Sequence, residues 1–224
     1  MKQVKKLNVS VIIALLVSLF VIPAVPSFAG RAKVEQTGQT ECFDKFGTVD
    51  CEGTGQDGEL QKGVQLPEPR FIEKDGAVKD ILTALEWLQD ANCAATIDFD
   101  PDSTGDGSMT WQNALDFVEA LNNGDANCGQ NNKPHKPWRL PNIKELQSLV
   151  HYRFFAPALS DSAGTDHAVE GDPFTNLQLD FYWSSTTVQW APGSAFILRF
   201  VRGFIEGESK DYAFNLVWAV RGGK

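Results

Sequence analysis

An α+β fold is what this sequence predicts, and three observations predict it. Two capped, amphipathic helical stretches lie near residues 110–122 and 142–150. Three strand-like runs then follow as a meander, Phe181–Ser185, Ala195–Gly203 and Ala213–Arg221. Four cysteines in a chain that begins with an export-type leader predict two disulfides stapling the loops between these elements.

The 224-residue chain opens on a basic head, Met1–Lys6, followed by an almost wholly apolar run from Val9 to Ile22. Ser27-Phe28-Ala29 then offers small residues at the two positions a signal peptidase reads, so residues 1–29 read as a secretory signal peptide cleaved after Ala29. The apolar run is shorter than the roughly 20 residues of a membrane span, and no later stretch is apolar enough to be one. The expectation is an exported chain: periplasmic, cell-surface or secreted. All 29 acidic residues lie beyond Ala29, whereas Lys2, Lys5 and Lys6 lie before it, so the formal charge of −9 becomes −12 in the mature chain. Such a surface repels nucleic acid and anionic membrane, and neither is an expected partner.

Residues 30–70 are rich in Gly, Thr, Gln and Asp without sustained periodicity, which reads as an N-terminal extension to a main domain at 71–224. Three cysteine pairings are open. The nearest-neighbour one, Cys42–Cys51 and Cys93–Cys128, is favoured because each pair brackets a loop-rich segment. Phe43 and Phe46 are the residues expected to dock the extension. No Gly-X-Y run occurs anywhere in the chain. Asp75-Gly76 signals a hairpin between Phe71-Ile72 and Ala77-Val78. Residues 81–88 fit helix or strand equally, because Ile81, Leu82, Leu85 and Leu88 have helical spacing.

In Asp98–Gly107 the carboxylates of Asp98, Asp100, Asp102 and Asp106 fall at positions 1, 3, 5 and 9 of a calcium-type loop. Ser103 and Met109 replace the glycine and the bidentate glutamate that such loops carry, and the plain alternative is a solvated turn. Apart from that calcium candidate, no cofactor is expected. Thr110 caps the first main helix, whose stripe is Trp111, Ala114, Leu115, Val118 and Leu121, and Asn123-Gly124 ends it. After a polar loop comes Trp138-Arg139-Leu140-Pro141-Asn142-Ile143-Lys144-Glu145-Leu146-Gln147-Ser148-Leu149-Val150. Pro141 holds Leu140 extended, Asn142 is the N-cap, and Glu145 completes a capping box. Ile143, Leu146, Leu149 and Val150 form the apolar stripe, with Trp138 and Leu140 placed to pack beneath it.

This stretch, with FYWSSTT at 181–187, VWAVR at 217–221 and RFIEKDGAVKDILTALEWLQDANC at 70–93, resembles the Lcl C-terminal domain family, the family of a collagen-like adhesin. The resemblance runs from about Phe71 to Arg221. It implies a C-type-lectin-like fold of two helices, short antiparallel strands and long disulfide-stabilised loops, with short strands around 71–88 and a glycine where this chain has Ala84. It further implies adhesion to sulfated glycosaminoglycans and a tendency to homo-oligomerise.

Catalytic signatures are missing: Ser184 and Ser185 lack a G-x-S-x-G elbow, and no phosphate-cradling glycine loop occurs. His151 reads as a surface or capping residue near a helix end, and the chain is not expected to be an enzyme. Zinc is disfavoured because no histidine lies near a cysteine. The function expected is a non-catalytic binding or adhesion module for an extracellular glycan or protein. The alternative is a structural or assembly subunit of a periplasmic or cell-surface complex. Candidate contact residues are the basic set Lys133, Lys136, Arg139, Lys144 and Arg153, together with Arg199 and Arg202. Trp87, Trp111, Trp138, Trp183 and Trp218 read as core, whereas Trp190 lies in a turn between strands, where its ring can stack on a ligand.

Overall fold

The computed structural model describes residues 34–130 and 136–223; the signal-peptide reading and Lys133 lie outside the described residues. It is an α+β structure built on antiparallel sheets. The extension carries a two-residue strand pair, β1 (Cys42–Phe43) and β2 (Thr48–Val49), closed by the Cys42–Cys51 disulfide, then a single helical turn, α1 (Asp57–Leu60).

Main-domain strands β3 (Phe71–Lys74), β4 (Ala77–Asp80) and β5 (Leu85–Leu88) form one sheet with β9 (Val220–Gly222), in the order β3-β4-β5-β9. Asp75 and Gly76 both adopt positive φ, 54° and 70°, as the tight turn of the β3–β4 hairpin demands. The ambiguity at residues 81–88 resolves in two parts. Asp80 accepts bonds from the Leu82 amide and the Thr83 hydroxyl, which holds Ile81–Ala84 in a turn, and only Leu85–Leu88 is strand. Ala84 sits in that turn at φ 60°, exposed. A left-handed alanine costs about 1–2 kcal/mol, partly offset in a glycine variant by the looser unfolded chain. Ala84→Gly is therefore expected to raise unfolding stability by about 0.5–1 kcal/mol. A urea midpoint that stays put or falls would contradict the strain argument.

A short turn, α2 (Cys93–Thr96), and the long helix α3 (Trp111–Asn123) are tied by the Cys93–Cys128 disulfide. The Thr110 hydroxyl accepts from the Asn113 amide, and Gly124 ends α3 in the left-handed conformation. Ala114, Val118 and Leu121 are buried as their spacing predicts, with Phe117 beside them. Helix α4 (Ile143–Ser148) carries the full capping box: Asn142 Oδ1 accepts from the Lys144 and Glu145 amides, and Glu145 Oε2 accepts from the Asn142 amide at 2.8 Å. Trp138, Leu140, Leu146 and Leu149 are all buried around it.

Strands β6 (Phe181–Thr187), β7 (Ser194–Arg199) and β8 (Phe204–Ser209) make a three-stranded antiparallel sheet. The final run departs from the meander: only Val220–Gly222 is strand, and residues 215–221 are buried without alternation. The cause is a change of partner. Leu216 bonds to Phe181 and Trp183 of one sheet, and three residues later the Ala219 carbonyl accepts from Leu88 of the other. Trp218 sits at that crossing, fully buried among Trp87, Phe174, Tyr182 and Phe200.

Phe46, 85% exposed, does not dock the extension, whereas Phe43 is half-exposed in a cleft shared with Tyr152 and Arg153. Backbone contacts hold the extension. The Tyr152 amide donates to the Thr37 carbonyl at 2.8 Å, the Arg70 amide to Ser162 O at 3.0 Å, and Gly38 lies against the ring of His151. His151 is accordingly buried, 3% exposed, and is neither a surface residue nor a cap. Among the described residues, no helix is long and apolar enough to cross a membrane.

Candidate functional site

The β6–β7 connection places one large ring in solvent. Residues 188–194 close a tight turn in which the Val188 amide donates to Ser194 O, Ala191 N to Val188 O, and Ser194 N to Ala191 O. Lys210 N donates to Gly193 O and clamps the turn from the far side of β8. Val188 is buried and roots the loop. Trp190, at its tip, is 82% exposed. Its ring lies edge-to-face with Phe196, centroids 6.1 Å apart.

The neighbourhood is aromatic and cationic. Lys210 Nζ donates to Thr187 Oγ1 at 2.9 Å and sits 4.2 Å over the ring of Trp111, whose indole nitrogen donates to Ser184 O. Cation and ring thus fix one another beside the Trp190 turn. The arrangement at the turn is an exposed indole on a hydrogen-bonded support with a second aromatic beside it, while Lys210 and Trp111 lie with Thr187 and Ala195 on the sheet face opposite Phe196. Such a surface can stack on the apolar face of a sugar or grip a peptide side chain.

Among the described residues, the predicted basic side chains meet separate partners. Arg139 makes a two-pronged pair with Glu145, 2.6 and 2.5 Å, and a further bond to Gly222 O, which braces α4 to the end of β9. Lys136 faces Glu86 at 3.8 Å. Lys144 Nζ donates to Gln147. Arg153 lies 5.5 Å over the Phe154 ring and lines the cleft beneath the extension. Arg199 bonds Leu179 O and faces Asp180 at 3.7 Å, while exposed Arg202 occupies the β7–β8 turn. The length of β7 separates these two from Trp190 by about 17 Å, at about 3.3 Å per strand residue.

Sequence proximity misses a different cationic surface. The β3–β4–β5 register sets Ile72, Lys79 and Glu86 in one row, with Lys74 on the same side. Together with Ala77 they line an open cleft of about 230 Å³, and Lys136 reaches its Glu86 edge. The signal was present: once Asp75-Gly76 fixes a two-residue turn, residues 72, 74 and 79 must share a face.

The acidic loop is built as a set of turns. Asp100 accepts from Thr104 N and Oγ1 and from Gly105 N, and Asp106 accepts from Ser108 N and Oγ. Asp102 accepts from Thr110 N and Asn113 Nδ2, tying the loop to the start of α3. Burial pushes the Asp102 carboxyl up, but the bonds from Asn113 and Thr110 outweigh it and hold it below the ordinary carboxylate value. Asp98 occupies a left-handed corner at φ 57°. Among the described residues, no group of three or more His, Cys, Asp or Glu side chains is arranged to hold a metal ion, so these four aspartates do not come together as the spacing suggested.

The cysteines pair as Cys42–Cys51 and Cys93–Cys128. No curated protein matches the chain, and no solved structure matches it. The family model described as the Lcl C-terminal domain matches residues 76–221, well over half of the sequence, from the turn of the β3–β4 hairpin to the last strand. The chain belongs to the Lcl C-terminal domain family.

Proposed function

We propose that this chain is an exported, non-catalytic binding or adhesion module on a C-type-lectin-like fold, and that it meets an extracellular glycan or protein through the surface around Trp190. The observation that carries the reading is the 82% exposure of that indole on a turn fixed by four backbone hydrogen bonds. A ring of this size left in water on a rigid support gains more from a ligand than from the fold, and loses little conformational entropy on binding. Phe196 gives the contact a second aromatic edge.

The test is a glycan-array screen of the oxidised chain, with and without calcium, run beside Trp190→Ala. The expected result is calcium-independent binding that weakens at least about 30-fold in the variant, the effect of losing a central aromatic contact worth about 2 kcal/mol. Stability should be unchanged, since the ring packs on little. Binding that survives Trp190→Ala sinks the proposed site. No binding by either protein sinks the glycan half and leaves a protein ligand. A second reading, an assembly subunit, draws on Phe204, half-exposed on the edge strand β8. Under that reading the chain would sediment as an oligomer that Phe204→Ser dissociates.

A further inference from the structure

The first described residues, 34–40, cross the main domain as a strap. The Thr37 carbonyl accepts from Tyr152 N at 2.8 Å, Gln39 Nε2 reaches Tyr152 O, and the Thr37 hydroxyl donates to the Asp57 carboxylate. Between these bonds Gly38 (φ 83°) is pressed on the imidazole of His151; a Cβ there would stand 2.1 Å from Cε1. The ring cannot retreat, because its other face stacks on Phe154 at 4.5 Å. It is 3% exposed and its Nδ1 has no hydrogen-bond partner. A polar cleft of about 140 Å³ runs along the strap, with Arg153 and Glu68 in its wall.

We propose that the strap is an acid-released latch, and that protonation of His151 is what opens it. A charged imidazole is favoured in the closed state by the backbone of His151 itself, but burial outweighs that bond. It would also stand among cations: Arg70, which is fully buried with two guanidinium nitrogens unpartnered, and Arg153. The opposing charges are Asp161, whose field favours the charged ring, Glu68 in the cleft wall, and Glu35 and Asp57 on the extension side. Asp80, the ion-pair partner of Arg70, completes the set. Burial first, then the fields of Arg70 and Arg153, lower the His151 pKa from 6.5 to about 4.

The sign follows. A base whose closed-state pKa is depressed holds fewer protons closed than open, so closure is fully favoured above about pH 6.5 and is lost as pH falls toward 4. With the open imidazole at its ordinary value, the open-to-closed ratio rises about 30-fold between about pH 7.5 and about pH 5. Opening would uncover the cleft floor and the His151 ring, giving an exported protein a second surface in acid surroundings.

Hydrogen exchange on the oxidised chain tests this. Corrected for intrinsic rate, protection of the Tyr152 amide should fall about 30-fold between about pH 7.5 and about pH 5, while the Val220 amide, bonded to Arg139 O in the core, keeps its protection. His151→Gln and His151→Phe should abolish that fall, and Gly38→Ala should show the open-strap value already at neutral pH. A fall that persists in both His151 variants assigns it to the carboxylates and overturns the proposal; so does a wild-type strap equally protected at both pH values. Should neither His151 variant fold, the wild-type ring decides: a ring already protonated near pH 6.5, with Tyr152 still protected, overturns it.

Discussion

Trp218→Ala is expected to lower unfolding stability by about 3–5 kcal/mol, the cost of emptying a large aromatic site in a packed core. The ring is completely buried and touches four others, Phe174 at 4.6 Å, Trp87 at 5.3 Å, Phe200 at 5.6 Å and Tyr182 at 5.7 Å. Those partners come from both sheets, from the loop before β6 and from the turn after β7. Its indole nitrogen donates to Leu88 O at 2.8 Å, so the variant also orphans a buried carbonyl on β5. The loss falls where the chain passes from one sheet to the other, and the two sheets should loosen together. Urea unfolding followed by far-ultraviolet circular dichroism checks it. A loss below about 1 kcal/mol would mean that the crossing is not what joins the sheets.

The second large effect belongs to the longer disulfide. Cys93–Cys128 closes a separation of 35 residues, against 9 for Cys42–Cys51. Chain-entropy arithmetic gives about 3–4 kcal/mol for the former and about 2–3 kcal/mol for the latter. The longer loop holds α2, the acidic turns and α3 against the β3–β4 hairpin, where the Gly129 carbonyl sits so close to Gly76 that a Cβ there would lie 2.2 Å away. Replacing Cys93 and Cys128 together by alanine should therefore shift the urea midpoint further than replacing Cys42 and Cys51. The reverse order would show that the small loop does more than close the extension on itself.

Local chemistry was legible in the sequence. Asn142 and Glu145 announce a capping box, Thr110 and Gly124 bracket a helix, and Asp75-Gly76 sets a turn; each acts within a few residues of itself, and each stands in the structure as read. Covering by distant segments was not legible. Nothing near His151 marks it as buried, because its cover, Gly38, arrives from over a hundred residues upstream. Residues 215–221 lose their alternation because two different sheets enclose them. Phe46 was a natural anchor by composition, yet it is exposed, and backbone groups whose identity the side chains do not record hold the extension.

The same division runs through the candidate site. Trp190 could be singled out because a turn between strands is a place where rings stay wet, and the ring is exposed. The basic residues from Lys136 to Arg153 are neighbours along the chain but meet different partners, Glu86, Glu145, Gln147 and Phe154. The lysines that do share a face, Lys74 and Lys79, are related by strand register.

The most direct test of the Trp190 surface is a spectrum of the six indole N–H groups in ¹⁵N-tryptophan-labelled chain, recorded while the strongest array glycan is added. Trp190→Phe assigns its own peak. The account predicts that this peak moves or broadens on titration while those of the buried Trp87, Trp183 and Trp218 stay fixed. A glycan that binds and leaves the Trp190 peak untouched would contradict it.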